Sequence, residues 1–483
     1  MKMDKKKWLY IGIGAATVVV ILAIVLLVVL LPKNGETKEP EMYKITVESV
    51  QNGQIITDKQ QATEGETVTV TATPESRYEL ESLYYSVSGE NKTTIENNAF
   101  IMPASNVTVG GTFVLIKTEI TATSNIGQFS ALGGGLYYTG DEVTLSVSLN
   151  DDESAYETGF VGWYAGDEIV SDQIEYAFTL TEDSPQEYTA KFITNLDSWE
   201  IHKNDTDFTC SLSGDSFERI TDDLVIPSYI WLSKNQRYTV TAIEDQAFYN
   251  NRDCDSIFIP STVRTIGKSA FQDSWLNYIT FGRNSVLESI GANAFDGSRL
   301  KNIVIPASVT SIGSYAFSDS NLANITFEES SRLETIPEYA FSGCTYLETL
   351  TLPANIKEIG QCAFYDSGLE SIILNEGLLS IGDNAFDNCS IEEIVIPSTV
   401  TTLGSNLFHW VNSLRTITIE GADVYQLLNT EDVLKDKTGL SISTMAEIKV
   451  RKSVVEDSTN NYLNNSEFFD KSEEGDYYIF QTI

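Results

Sequence analysis

Apolar and polar residues alternate with period two along Thr67-Val68-Thr69-Val70-Thr71-Ala72, bounded by Gly65 and Pro74, the signature of a half-buried strand. Similar alternation from Tyr43 to about Leu115 predicts an all-β module. A second β module follows through Gly133-Gly134-Gly135-Leu136-Tyr137-Tyr138-Thr139-Gly140, Phe160-Val161-Gly162-Trp163-Tyr164 and Tyr188-Thr189-Ala190-Lys191-Phe192. Modules this small have small cores, so Trp163 and the aromatic pairs are expected in packing roles rather than ligand cages. From Ile243 the pattern changes to a repeat, Ile-Gly-x-x-Ala-Phe, whose Phe positions 248, 271, 295, 317, 341, 364, 386 and 408 lie 22 to 24 apart. Between them recurs Leu-x-x-Ile-x-Ile, as in Leu300-x-x-Ile303-x-Ile305. One such coil cannot bury both its strand and its return side, but stacked coils share a core and pair their strands in a parallel sheet. Eight strands at about 4.8 Å would make a stack of roughly 40 Å. The Phe residues are expected to form an interior column, with the preceding Ala marking tight packing between coils.

Trp8 to Leu31 carries no charge over 24 positions. As a helix it would cover about 36 Å, enough for a bilayer core of roughly 30 Å. Lys2, Lys5, Lys6 and Lys7 precede it, so the positive-inside rule places residues 1–7 in the cytoplasm. The expectation is a signal anchor over 8–31, a single-pass cell-membrane protein, and an extracellular remainder. Residues 32–42, with Pro, Gly and alternating Lys and Glu, read as a linker.

Residues 43–117, with Gly65-Glu66-Thr67-Val68, Arg77-Tyr78-Glu79-Leu80 and the closing Phe100-Ile101-Met102-Pro103-Ala104-Ser105-Asn106-Val107, resemble the divergent InlB B-repeat. Residues 118–195 are similar to a related bacterial repeat. The coils over 243–421 resemble the BspA-like leucine-rich repeat, which reads Phe, a small turn, Leu-x-x-Ile-x-Ile-Pro, Val-Thr, then Ile-Gly-x-x-Ala-Phe. Residues 196–242 and 422–483 read as its two caps, with strands expected at Leu224-Val225-Ile226-Pro227 and Ala446-Glu447-Ile448-Lys449-Val450. The fold class is then mainly β: a transmembrane helix, two small all-β modules and a leucine-rich repeat solenoid with a parallel β-sheet. The resemblance implies an adhesin-like surface binder of proteins or glycans from a host or neighbouring bacteria, with the β modules as spacers. A structural envelope protein without an external ligand and a surface glycan hydrolase are the rival readings. Pro follows the strand only in alternate coils, at Pro260, Pro306, Pro353 and Pro397, with Gly282, Glu328, Asn375 and Glu420 in the others. Proline has no donor to give, so a two-coil superperiod is expected along this rim.

Composition narrows the chemistry. The net charge of −38 disfavours phosphate backbones, so no nucleic-acid partner is expected. Two histidines, His202 and His409, leave few candidates for a His base or metal cluster. No catalytic residue, cofactor or metal is assigned. Gly267-Lys268-Ser269 ends like a phosphate loop, but Thr262 stands where a glycine is required. Acidic doublets such as Asp222-Asp223, Glu328-Glu329 and Glu392-Glu393 are expected among 69 acidic residues and read as solvated surface. Asp151-Asp152-Glu153 lacks the spacing and central glycine of a calcium loop. Cys344 and Cys389 share a turn position with Ser274, Ser298, Ser320 and Ser367, and Cys254 replaces an inward Leu, so packing is expected rather than disulfide or metal chemistry. Cys362, at a position of variable residue type, is expected to be exposed and the most reactive thiol.

The binding surface follows from strand geometry, since the residues between the inward Leu and Ile point outward onto a concave sheet. One row is Ser256, Tyr278, Asn302, Asn324, Thr349, Ser371, Glu393 and Thr416. The other is Phe258, Thr280, Val304, Thr326, Thr351, Ile373, Val395 and Thr418, and Glu393 is the one charge among them. A nearly neutral sheet with exposed apolar side chains fits a protein or glycan contact. The competing reading is β-branched residues placed for strand propensity alone.

Overall fold

The structure is a computed structural model and describes residues 39–88, 91–150, 157–194, 196, 199–213, 223–233, 236–423, 447–455 and 469–482. The chain divides into two compact units, residues 1–116 and 117–483.

In the first unit the alternation of Thr67–Pro74 is realised as buried Val68 and Val70 between exposed threonines. This strand pairs antiparallel with Gly53–Thr57 and Ala99–Ile101. A second sheet runs in the order 61–63, 42–47, 107–115, 78–87, 93–94, with Met42–Val47 and Val107–Leu115 parallel. Ile45, Ile55, Leu83, Phe100, Met102, Val109 and Phe113 fill the core.

In the second unit Trp163 is fully buried, with Phe129, Phe160, Tyr188 and Phe192 around it. Tyr229 and Trp231, from the strand Tyr229–Ser233, complete this core. That strand pairs with Thr158–Ala165 on one side and Gln236–Ile243 on the other. Gln236–Ile243 in turn pairs parallel with Thr265–Ile266, so one sheet runs from the β module into the first repeat coils. Buried Asp172 ties the same junction: its carboxylate accepts from the Ser261 N–H, from Ser261 Oγ at 2.8 Å and from Gln173 Nε2 at 3.0 Å. The Ser228 hydroxyl donates to the Asp172 carbonyl at 2.6 Å.

Each coil contributes two strands. The short pairs Thr265–Ile266, Ser289–Ile290 and Ser311–Ile312 stack in register, as do Thr335–Ile336, Glu358–Ile359, Ser380–Ile381 and Thr402–Leu403. Pro337 follows Ile336, and after the other six a glycine lies so close to the previous coil that a Cβ on Gly313 would come within 2.3 Å of the Ala292 nitrogen. A side chain at those six glycines would clash with the neighbouring backbone. The eight phenylalanines stack with centroids 4.9 Å apart at Phe248–Phe271, widening to 5.8 Å at Phe386–Phe408, and with interplanar angles of at most 10°. Each of the first seven also donates its N–H to the carbonyl of the residue before the next Phe, as Phe271 does to Ala294 at 2.7 Å.

The sheet of longer strands shows the two-coil superperiod. Pairing extends over four residues between Ser256–Ile259 and Tyr278–Phe281, between Asn302–Ile305 and Asn324–Phe327, and between Glu393–Ile396 and Thr416–Ile419. Thr349–Thr351 and Ser371–Ile373 pair over three. Between these couples pairing drops to Tyr278 with Asn302, and the 324–327/349–351 and 371–373/393–396 junctions fall between separate sheets. The cause is the rim proline. Gly282, Glu328 and Glu420 donate to the carbonyls of Ile259, Ile305 and Ile396 at 2.9 to 3.1 Å, whereas a proline heading the next couple has no N–H to donate. Asp223–Val225 adds a parallel strand at one end and Glu447–Arg451 at the other, followed by the antiparallel hairpin Phe469–Glu474 and Tyr477–Thr482.

One expectation is corrected. The fold is mainly β with parallel leucine-rich repeat sheets, and among the described residues no helix is long and apolar enough to cross a membrane. The short helix Lys452–Val455 has four residues, about 6 Å of length against a bilayer core of roughly 30 Å. Residues 8–31, on which the transmembrane helix was expected, lie outside the described residues. The single-pass localisation that depended on that helix is withdrawn with it.

Candidate functional site: the outward face of the repeat sheet

Alternation within each four-residue strand decides which side chains face out. In Asn302–Ile305 the pattern is exposed, buried, exposed, buried, and the same holds for Glu393–Ile396. Ile303, Ile305, Ile394 and Ile396 join the core, which leaves Asn302, Val304, Glu393 and Val395 outside. Tyr278, Thr280, Asn324, Thr326, Thr349, Thr351 and Ile373 are likewise exposed. The apolar members are well out of the core, with Tyr278 46%, Val304 52%, Ile373 61% and Val395 51% exposed. Phe258 differs. It is half-buried and lines a cleft of about 520 Å³ with Tyr176, Gln173, Phe281 and Arg283, so the β module walls off the first coil.

Strand pairing sets Tyr278 beside Asn302, Asn302 beside Asn324, Val304 beside Thr326 and Thr351 beside Ile373. Asn324 Nδ2 donates to Asn302 Oδ1 at 2.8 Å, which links two exposed side chains of neighbouring strands. The junction without strand pairing, between Asn324–Phe327 and Thr349–Thr351, opens a cleft of about 560 Å³ lined by Asn324, Thr326, Thr349, Thr351, Glu328 and Glu329. Glu328 accepts from the Ala307 N–H at 2.9 Å, which holds its carboxylate on the rim. Glu393 and Val395 pair with Thr416 and Thr418 within the last couple, and a second junction without strand pairing separates them from Ser371–Ile373.

The rim where the strands begin carries residues that the alternation pattern did not single out. Trp275 is 40% exposed, with the Arg299 guanidinium 3.7 Å and the Arg252 guanidinium 5.8 Å from its ring centroid. The Lys301 ammonium lies 5.3 Å from the Tyr278 ring centroid. Trp275 and Arg299 each precede the inward Leu, so aligning the coils on that Leu would have placed them together.

Cysteine chemistry lies elsewhere. All five thiols are free and buried. Cys344 Sγ donates to the Phe317 carbonyl and Cys389 Sγ to the Phe364 carbonyl, each at 3.0 Å, a weak S–H donor at a turn position otherwise held by serine. Burial pushes both thiols up to about 12. Cys362 is corrected: it is 6% exposed, and burial raises its thiol above the ordinary range. Its position recurs once per coil in the left-handed region, φ from 52° to 61° at Gln246, Ser269, Asn293, Tyr315, Tyr339, Cys362, Asn384 and Asn406. Successive coils cover one another there, as the stacked Tyr315 and Tyr339 rings show at 4.5 Å, so variable residue type does not mean exposure. Among the described residues no group of three or more His, Cys, Asp or Glu side chains is arranged to hold a metal ion.

Residues 241–363 and 334–427 match the BspA type leucine rich repeat region, in six copies, and residues 43–117 match the divergent InlB B-repeat domain. No curated protein matches the chain. Among solved structures, a leucine-rich repeat protein from Bacteroides ovatus is 25% identical, over 54% of this chain and 76% of that one, with a TM-score of 0.38. A leucine rich cell surface protein from Faecalibacterium prausnitzii is 26% identical over 46% and 53%, with a TM-score of 0.33. The pneumococcal vaccine antigen PcpA is 23% identical over 47% and 80%, with a TM-score of 0.34. Residues 241–427 are therefore BspA type leucine-rich repeats and residues 43–117 a divergent InlB B-repeat domain.

Proposed function

We propose that the outward face of the repeat sheet is the ligand-binding surface of an adhesin-like protein, taking a protein or glycan of a host or of neighbouring bacteria. Tyr278, Thr280, Asn302, Val304, Asn324, Thr326, Thr349, Thr351, Ile373, Glu393 and Val395 form the contact, with half-buried Phe258 at its walled end. One observation carries this reading. Across these strands the exposed positions hold a single charge, Glu393, in a chain of net charge −38, while apolar side chains stay half exposed. Such a surface costs little to desolvate, and its amides and hydroxyls supply directional bonds. The role is binding rather than catalysis. The β modules over 43–117 and 118–195 act as supports, the second one continuous in sheet with the repeat coils.

The test is binding of the full chain to arrays of matrix proteins, glycans and bacterial envelopes. Tyr278→Glu with Thr326→Glu should abolish saturable binding, while a charge at exposed Thr310, on the other side of the coil, should leave it unchanged. A uniformly blank array would overturn the reading in favour of an envelope protein with no external ligand.

A further inference from the structure

One coil carries proline at both of the places where its neighbours bond backbone to backbone. Pro337 follows the short strand Thr335–Ile336, and Pro353 stands at the rim of the same coil, whereas the coils with Pro306 and Pro397 have Gly291 and Gly382 at the first place. Gly313 and Gly360 each donate to the isoleucine carbonyl of the preceding coil at 2.8 Å. Pro337 has no N–H for the Ile312 carbonyl, and it carries a ring where Gly313 leaves no room for a Cβ. The consequence is confined to one junction. Among the described residues Ser311–Ile312 and Thr335–Ile336 do not pair, and neither do Asn324–Phe327 and Thr349–Thr351. Where the long strands are interrupted elsewhere, the short strands of the same coils stay paired, Thr265–Ile266 with Ser289–Ile290 and Glu358–Ile359 with Ser380–Ile381. Here both sheets stop. Thr310 and Ser311 donate to the Glu288 carbonyl, and Lys357 and Glu358 to the Glu334 carbonyl, but among the described residues no such bond joins Glu334 or Thr335 to Thr310. The Phe edge still crosses the junction: Tyr315, Phe317 and Asp319 donate to the carbonyls of Glu338, Ala340 and Ser342 at 3.1, 3.0 and 2.7 Å. Phe317 and Phe341 stack there at 5.4 Å, and Cys344 Sγ donates to the Phe317 carbonyl at 3.0 Å. Clefts of about 560 and 730 Å³ flank the unpaired stretches, one lined by Thr326 and Thr351 and the other by Thr310 and Thr335.

We propose that this junction is a seam that divides the solenoid into two separately cooperative blocks, the coils up to Glu334 and the coils from Thr335 onward, joined at the Phe edge. Each coil of a stack is coupled only to its neighbours, so cooperativity fails first at the weakest interface. Within each block at least one of the two sheets runs through every coil junction, and only at the seam is neither continuous. The seam also crosses the outward face between Thr326 and Thr349, so the face flexes there without breaking a sheet hydrogen bond. This holds whatever the face binds.

The experiment is native-state hydrogen exchange of the full chain in mild urea, read peptide by peptide by mass spectrometry. Phe271→Leu should accelerate exchange about tenfold in repeat peptides before Glu334 and leave those after Thr335 within about twofold, and Phe386→Leu should do the reverse. Pro337→Gly, which supplies a donor for the Ile312 carbonyl and removes the ring, should make each Leu substitution felt in both blocks. Equal acceleration of both blocks by either Leu substitution in the parent chain overturns the proposal. So does a boundary at a different coil junction, or one that survives Pro337→Gly unchanged. Should a Leu variant fail to fold, the urea dependence of the parent chain decides: two exchange classes meeting at Glu334 and Thr335 support the seam, and a single class across the solenoid overturns it.

Discussion

At the residue scale the repeat is held by side chains that each meet their counterpart one coil away. Phe317 is fully buried, with Phe295 at 5.3 Å and Phe341 at 5.4 Å. Phe317→Ala should cost about 3–5 kcal/mol in urea unfolding, because rings on both sides prevent the cavity from collapsing. Gly282 carries a different constraint, since a Cβ there would lie 2.0 Å from Asp172 Oδ2 and 2.6 Å from the Ser261 nitrogen. Gly282→Ala should therefore lower the melting temperature. Combined with Asp172→Ala, which alone leaves buried Ser261 donors unpaired at about 1–3 kcal/mol, it should be less than additive. The thiols give a chemical readout of burial. Burial raises the thiols of Cys344 and Cys389 far above the ordinary range, so both stay protonated at pH 8. All five cysteines should resist alkylation in the folded chain and react on denaturation, as counted by mass spectrometry.

At the element scale the unit of assembly is a couple of coils. Glu328 donates its N–H to the Ile305 carbonyl at 3.0 Å, while Pro353 heads the next couple with no donor. Glu328→Pro should cost about 1–3 kcal/mol relative to Glu328→Ala, the control for the side-chain bond to Ala307. Pro306→Ala should stay within about 1 kcal/mol of the parent, since no partner depends on that position for a donor. The repeat period and the proline alternation are both legible in the order of residues alone. The consequence of the alternation is not, because an interrupted sheet and its 560 Å³ cleft arise only where two coils meet. The rim cluster of Trp275 and Arg299 escapes the outward-row argument for a related reason: it lies before the strand, where period two does not apply.

At the scale of the whole molecule, stability should be close to a sum of coil terms and nearest-neighbour terms, as in other stacked repeats. Superimposed on that sum is the self-repulsion of a net charge of −38. Raising sodium chloride from about 10 to 200 mM shortens the Debye length from roughly 30 Å to under 10 Å and should raise the thermal midpoint, as followed by circular dichroism. Charges already within 4.0 Å of a partner, such as Arg264 with Glu288 at 2.6 Å, oppose this only weakly because they are exposed. The β module over 118–195 also enters at this scale, since Tyr229 and Trp231 pack into its core and Asp172 reaches the first coils. A spacer read from its own repeat pattern becomes the wall of a cleft against Phe258.

Periodicity alone was enough for the parallel-sheet repeats, the inward and outward faces of each strand and the Phe column, because these follow from local alternation repeated at a constant spacing, whereas the transmembrane helix expected with them is not borne out. Periodicity also located the outward residues, from Tyr278 to Val395, since a side chain's face is set by its parity along the strand. Contacts between coils decided the rest. Cys362 became buried because neighbouring coils cover it, the sheet broke where a proline meets a carbonyl, and Arg299 met Trp275 because equal offsets in successive coils are adjacent in space. Such contacts join residues 22 or more positions apart, and only the stacked chain brings them within reach.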